Sequence, residues 1–484
     1  MHLKFRRVIL AGKPFASRQR QHGTCLLYGI TRFIVHSIMQ RLSKLLAIHR
    51  TELPPVLLSA SYFFTVLCGY NFLRPVREAM GVSGGMNDLR WLFAVTSVVS
   101  LVVVLCFGGL VARTNRRKFI PIAYLLVIVC LLLFSGILIL DITSGGGLIG
   151  SSSETDLSRI VGYVFFVWLS VANLFVTSVF WAFMVDIYTV EQGKRVFAFI
   201  GVGGTLGALI GGWATSIISS STESPYLPVG LMLTGAAFFS LSIFLVLWLD
   251  RVTGGGAPSS SITWDSDSQK APEVGGAFWE GLRAVLRSPY LLGIGLYVIL
   301  MAISNTLIYF VQANIVLTNT DTFSERVAGF AQFDALAQAL TLITQLFITT
   351  HLIKRLGVGW TLSILPAVTI LGFATLSIWT AYGVMAIFQA VHRATRYAIA
   401  RPARETLFSV VSTSEKYKAK PVVDVFLYRG GDLAGVGVEG AFAAIGLSIA
   451  GIAGATIPLA GMWSLLSLRL ARTQDQHKGI ADAR

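Results

Sequence analysis

Residues 70–81, YNFLRPVREAMG, close the first long apolar run of the chain with groups that hydrocarbon does not tolerate: Asn71, Arg74, Arg77 and Glu78. On insertion scales a central Arg in a membrane helix costs about 2.5–3.5 kcal/mol, so it persists only where it faces a polar cavity or a partner. Two readings of the stretch are open. The charges either mark the end of a span and sit at the water interface, or form one wall of a cavity inside a helical bundle. Pro75 removes a backbone bond and can bend the helix beside Arg74.

The 484 residues are 54% hydrophobic and 13% charged, against about 25% charged in a soluble chain. Mean hydropathy is +0.70. Apolar runs of about 20 residues, each enough to cross a bilayer, recur along nearly the whole length. The class is an all-α polytopic membrane protein whose partner is the lipid bilayer. The net charge of +15 does not point to nucleic acid, because Lys and Arg fall in alternate loops as membrane topology demands. Cys25, Cys68, Cys106 and Cys130 form no pair with metal-ligand spacing, and neither metal nor cofactor is implied.

Residues 1–50 are a basic N-terminal segment. Its opening, MHLKFRRVILAGKP, has too short an apolar core for a signal peptide. Residues 1–38 read as an upstream extension ahead of a start at Met39, the competing reading being a basic segment lying on the surface. Six spans are expected in 51–250 (54–74, 91–112, 119–140, 160–185, 196–218, 228–249). Six more are expected in 290–470 (290–315, 328–350, 360–380, 382–403, 422–444, 446–468). Between them, 251–289 is a Gly/Ser/Asp/Pro-rich linker that leads into AFWEGLRAVLRSP, an interfacial helix with Trp279, Leu282, Val285 and Leu286 on one face. Residues 471–484 are a tail. The basic loops carry Arg113, Arg116 and Arg117, then Lys194, Lys354 and Lys418. They place both termini on the cytoplasmic side of a bacterial inner membrane.

The halves echo each other. VEQGKRVFAFIGVGG after span 4 matches SEKYKAKPVVDVFLYRGG after span 10, each with Glu-x-x-Lys (Glu191/Lys194, Glu415/Lys418) and a Gly-Gly further on. With Arg113, Arg116 and Arg117 these residues are candidate cytoplasmic gate loops. Parallel repeats of six spans are the major-facilitator plan, with the substrate site between the halves. In span 5, Gly203, Gly207 and Gly211 lie at four-residue spacing in GGTLGALIGG. A phosphate-cradling loop is excluded, because no Lys-Ser/Thr pair follows and no strand precedes. The glycines suit close helix approach, expected here between the halves. The run is similar to the antiporter motif of major-facilitator span 5, with Ala208 where that motif has Pro.

Several spans carry polar residues along one face. Span 8 has Asp334, Gln338, Thr341 and Gln345; span 10 has Gln389, Arg393, Arg396 and Arg404; span 11 has Asp424, Tyr428, Asp432 and Glu439. Gln312 and Asn314 stand in span 7. In lipid these faces turn inward, either to bond one another as glue between helices or to line a site. The candidates for substrate binding or gating are Asn71, Arg74, Arg77, Gln312, Asp334, Gln338, Arg393, Arg396, Asp424, Arg429 and Asp432. No Walker sequence, His-Glu-x-x-His or Ser/His constellation is present, which disfavours a powered pump and an enzyme.

YNFLRPVREAMG, ARTNRRKFIP, FMVDIYTVEQGKRVFAFIGVGGTLGALIGG and ETLFSVVSTSEKYKAKPVVDVFLYRGGD together resemble the bacterial and plastid ATP:ADP antiporter family, a branch near the major-facilitator superfamily. The chain is most similar to free-living bacterial members, whose substrates the resemblance does not fix. Nucleotide exchangers of the family read roughly K-x-K-x-x-x-D and then R-x-G-K. Lys418, Lys420, Asp424, Arg429 and Gly431 match, and Asp432 stands where the last Lys is expected. That reversal opposes a triphosphate. The resemblance implies a secondary transporter working by alternating access, exchanging an anionic, nucleotide-like or phosphorylated solute held by arginines. Asp334, Asp424, Asp432 or Glu439 would carry a coupling proton or pair with those arginines. The alternative, favoured by Asp432, is a proton-coupled major-facilitator transporter of another small molecule. A third is a membrane sensor or scaffold that moves nothing.

Overall fold

Twelve helical rods account for nearly all the residues that the computed structural model describes, which are 52–111, 116–253 and 274–482. The first half contains α1 (Leu53–Ser83), α2 (Met86–Val111), α3 (Arg116–Thr143), α4 (Asp156–Ile187), α5 (Val190–Ser221) and α6 (Leu227–Val252). A short helix, α7 (Val274–Arg287), precedes the second half. There follow α8 (Pro289–Thr318), α9 (Phe323–Phe347) and α10 (Thr349–Ile378). The helix starts are written locally. Thr155, Thr189 and Thr322 close capping boxes with Ser158, Gln192 and Glu325, which satisfy backbone donors that lipid cannot. Pro stands in the first turn of α1, α6 and α8, where its missing N–H costs nothing.

The last three rods are α11 (Tyr382–Ala394) continued by α12 (Arg401–Leu407), α13 (Thr413–Pro421) continued by α14 (Tyr428–Ala444), and α15 (Ile449–Asp482). Among the described residues, ten helices are each long and apolar enough to cross a membrane. Two further rods run 382–407 and 413–444, where π-helical turns at Thr395–Ala400 and Val422–Leu427 interrupt the α-helix without breaking the rod.

The contacts repeat between halves. In the first, α1 packs on α5 and α6, α3 on α6, and α2 on α4; in the second, α8 packs on α14 and α15, α10 on α15, and α9 on α11. The halves meet through α5 against α9 and α2 against α14, two contacts that exchange under the same pseudo-symmetry. This is the major-facilitator arrangement.

The packing glycines act elsewhere than expected. A Cβ at Gly203 or Gly211 would come within 2.6 Å of the Ala60 or Cys68 carbonyl, and one at Gly207 would collide with that of Phe64. All three targets are on α1, so the motif packs helices within one half. The close approach between halves on α5 is at Gly212, beside Ala335 of α9. The second half repeats the device, with Gly431 of α14 against the Ile299 carbonyl of α8.

Two further details of the described residues bear on the sequence expectations. The apolar face of α7 is divided: Val285 is buried in the second-half core, whereas Trp279 and Leu286 are exposed. The helix is rolled onto α13 because Gly281 sits against the Lys418 backbone. Helix α15 continues to Asp482, so the tail assigned to 471–484 begins inside it. The N-terminal segment 1–50, Arg113 and most of the linker lie outside the described residues.

Candidate functional site

The bundle has a basic end, where α2 meets α3 and α12 meets α13, and an opposite end, where α1 turns into α2 and α8 into α9. Near the opposite end the halves are clamped. Arg90 at the start of α2 makes a two-pronged pair with Glu439 of α14, the second bond being 3.0 Å. Arg326 of α9 donates to Ser83 Oγ at 2.9 Å. Tyr309 of α8 donates to Glu78 of α1 at 2.6 Å. An apolar cluster seals the same end across the halves, joining Val82, Leu89 and Phe166 to Leu307, Phe310 and Phe373. The cluster nearer the basic end, around Tyr290, Leu407 and Trp463, belongs to the second half alone.

Behind the clamp, residues 70–81 resolve as a cavity wall. Glu78 is 3% exposed and is held by Arg77 as well as Tyr309. Arg77 also donates to Ser170 Oγ at 2.8 Å and lies 4.8 Å above the Phe166 ring. These are not interface charges. The helix runs on past Pro75. The Asn71 carbonyl, which loses its helical partner at Pro75, has the Thr215 hydroxyl of α5 at 3.5 Å.

Arg74 reaches across the molecule. Its guanidinium is 3.2 Å from Asp334 of α9, and Arg393 of α11 donates to the same carboxylate oxygen at 2.5 Å. One buried carboxylate therefore lies between two arginines from opposite halves, nine residues or about 14 Å along α1 from Ser83, which is bilayer mid-depth. Glu78 gives Arg74 a second, longer contact at 3.7 Å.

A cavity of about 500 Å³ opens beside this bridge, lined from both halves. Arg74, Arg77, Arg393, Arg396 and Arg429 face it, with Asn71, Asn173, Asn305, Gln338 and His392 among its neutral polar groups. Asn71 Oδ1, Asn305 Nδ2 and His392 Nε2 are buried without a hydrogen-bond partner. Such groups are costly in a dry interior and are useful where a polar ligand completes them.

Arg396 differs from its neighbours. Arg74, Arg77 and Arg393 have Asp334 or Glu78, and Arg429 has Asp432 at 3.1 Å. Arg396 bonds the Tyr428 hydroxyl at 2.5 Å and stacks on the Tyr397 and Tyr428 rings at 5.3 and 5.6 Å. Among the described residues no carboxylate lies within 4 Å of it. Its close contacts among the described residues are with phenols, and Asp432 lies farther off across the same cavity.

The remaining candidates separate. Asp432 faces the cavity, but its carboxylate is bonded to Arg429 and to Thr306 at 3.4 Å, so the reversal of charge is neutralised on its own helix. Gln312 does not line the cavity; it accepts from Gln389, which does, at 2.8 Å. Asp424 lines a second cavity nearer the basic end and pairs with Arg404 at 3.1 Å. The Glu-x-x-Lys echoes mark helix starts. Glu415 bonds Ser412, the cap of its own helix, at 2.8 Å, and Glu191 stands in the first turn of α5. Lys418 pairs with Glu280 of α7 at 2.9 Å. Arg116 and Arg117 begin α3. The side chains of these two and of Lys194 lie outside the described residues.

Sequence reasoning missed Arg90, Asn173, Tyr309, Tyr397 and Arg401. Arg90 lies one residue before the expected start of span 2 at 91. The tyrosines hardly lower the hydropathy of a span, and only their pairing across the bundle distinguishes them.

A family model described as TLC ATP/ADP transporter matches residues 35–456. The chain belongs to that family. It is a multi-pass membrane protein and a secondary transporter of the ATP:ADP antiporter type, with a small molecule as substrate. The ADP,ATP carrier protein 1 of Chlamydia trachomatis serovar D is 21% identical over 499 positions, covering 90% of this chain and 92% of that one. Among solved structures, the nucleoside transporter NupG has a TM-score of 0.57 at 13% identity, covering 87% of this chain and 98% of its own. A bacterial homologue of the iron transporter ferroportin, in an inward-facing state, has a TM-score of 0.59 at 13% identity, with the same coverages. These likenesses establish the major-facilitator fold of this TLC-family transporter.

Proposed function

We propose that this member of the TLC ATP/ADP transporter family exchanges an anionic, phosphorylated and nucleotide-like solute across a bacterial inner membrane, and that Arg396 is its principal anion contact. The observation that carries the reading is the half-buried Arg396 guanidinium, which bonds and stacks on tyrosines and has no carboxylate within 4 Å among the described residues. A charge in the membrane interior costs several kcal/mol unless it is paired, and a bound phosphate supplies the pair with planar, two-pronged geometry. The neutral groups Asn71, Asn305 and His392 complete the site for the uncharged, hydrogen-bonding part of the solute.

The basic loops put the basic end in the cytoplasm, so the clamped end faces outward and this conformation faces inward. Asp334 then acts as an internal anion. It holds Arg74 and Arg393 together across the halves while the carrier is empty, and with Glu78–Tyr309 and Arg90–Glu439 it keeps the outer end shut. A substrate anion that takes over Arg74 and Arg393 releases this latch. A ligand shifts such an equilibrium only through its differential affinity for the two states, and here the difference is the freed Asp334. Exchange without leak follows, because the empty carrier stays latched. Asp432 is engaged with Arg429 and leaves the positive excess of the cavity intact, which favours an anion over a cationic solute.

Thermal stabilisation of the purified protein tests the anion reading. ATP, ADP and other nucleotides are expected to raise the melting temperature with the logarithm of ligand over Kd, while adenosine at the same concentration does so far less. Equal stabilisation by adenosine and by its phosphates contradicts it.

A further inference from the structure

We infer that a second anion station, of phosphate size, lies between the central cavity and the basic end, built on the π-helical turns of the second half. A cavity of about 410 Å³ is walled by 396–405 on one side and 420–429 on the other, with Val104 and Leu174 of the first half closing it. Both of its polar walls contain a π-turn, Thr395–Ala400 and Val422–Leu427. Such turns recur at functional sites because they re-aim the side chains that follow.

The re-aiming is visible here. The Arg401 N–H donates to the Arg396 carbonyl, five residues back. In an α-helix residues five apart point about 140° away from each other; a turn closed over five residues brings them nearly into line. Arg396 and Arg401 therefore line the same cavity, together with Arg404.

The charges do not balance. Glu405 is taken by Lys420 at 2.6 Å and Asp424 by Arg404 at 3.1 Å, while Arg429 is held by Asp432. Neither Arg401, an exposed side chain, nor the half-buried Arg396 has a carboxylate within 4 Å among the described residues. The buried Nε of Arg404, on a side chain 13% exposed, has no hydrogen-bond partner. Two unpaired guanidiniums and an unused donor converge on a space that a tetrahedral oxyanion fits. In the empty protein Glu405 and Asp424 moderate the field; an arriving anion binds Arg401 and Arg404 and lies next to Arg396, which borders both cavities. The station uses residues of its own and draws on the anion reading of the central cavity only through Arg396 and Arg429.

Equilibrium binding of labelled inorganic phosphate to the purified full-length transporter tests the inference. The wild type is expected to bind two phosphates per chain. Arg401→Gln removes no side-chain hydrogen bond or ion pair among the described residues and is expected to leave one; Lys420→Gln, which also frees Glu405 to oppose an anion, is expected to weaken the same class at least ten-fold. Melting temperature in phosphate-free buffer confirms that each variant is folded. One phosphate per chain, lost with Arg393→Gln and untouched by Arg401→Gln and Lys420→Gln, overturns the second station and leaves the central reading standing. One phosphate lost with Arg401→Gln but kept in Arg393→Gln supports the station and counts against the central reading. No saturable binding overturns the inference.

Discussion

Replacing Asp334 with Asn keeps the volume of the side chain and removes the charge that joins the two halves at mid-depth. Arg393 is then left with no carboxylate within 4 Å among the described residues, and Arg74 keeps only Glu78 at 3.7 Å. Removing one partner of a buried pair costs about 3–5 kcal/mol, chiefly because the other charge remains without compensation. The empty Asp334→Asn protein should be less stable by about that amount. A substrate anion restores the missing charge, and it no longer competes with an internal carboxylate. If about 1–2 kcal/mol of the loss is recovered on binding, affinity rises by a factor of about 5–30. The latch reading adds a kinetic consequence, which is that the variant leaks. Two assays check this: nucleotide titrations followed by thermal unfolding, and tracer efflux from liposomes that contain no exchangeable solute on the far side. A double variant with Arg393→Gln should recover part of the stability, since it removes the orphaned charge too. Asp334→Asn protein with unchanged melting, unchanged affinity and no leak would refute the account of Asp334 as a latch.

Other consequences are as specific. Glu439→Gln weakens the clamp on Arg90, whose hydrogen bonds to a charged group are worth about 1.5–3 kcal/mol. A cysteine placed at Thr306 should become several-fold more reactive to a membrane-impermeant thiol reagent added from outside; unchanged labelling counts against Arg90–Glu439 as an outer gate. Gly207→Ala forces a Cβ into the Phe64 backbone on α1 and should sharply reduce the yield of folded protein. Gly201→Ala meets nothing within 4 Å and should be neutral or stabilising by up to about 1 kcal/mol; equal yields of the two would show that α1 and α5 are not closely packed. Tyr309→Phe deletes the bond to Glu78 and should raise exchange leak less than Asp334→Asn, because Glu78 keeps Arg77.

What the sequence reveals here follows from what is expensive. Arg74, Arg393, Arg396 and Asp334 stand out in apolar runs because a charge in lipid must have a reason, and all four lie at or beside the central cavity. Helix starts are legible in Thr155, Thr189 and Thr322, since capping chemistry is local. Partners are not legible. Nothing in one strand of text says that Glu78 meets Tyr309, more than 200 positions later, or that Arg90 meets Glu439. The glycines of α5 announce a close approach without saying to which helix, and they turn out to serve α1. The π-turns are the deepest omission. A periodicity of 3.6 carried through residue 395 places Arg401 off the polar face, whereas the widened turn returns it to the cavity wall beside Arg396.

Counter-exchange in liposomes tests the central claim most directly. Purified transporter loaded with unlabelled ATP or ADP on one side should take up labelled nucleotide from the other, and Arg396→Gln should reduce that uptake by about 30- to 150-fold, the equivalent of about 2–3 kcal/mol of charge-assisted bonding. Adenosine should exchange poorly through either protein. Wild-type rates from Arg396→Gln, or exchange of adenosine as fast as of its phosphates, would contradict an anion site at Arg396.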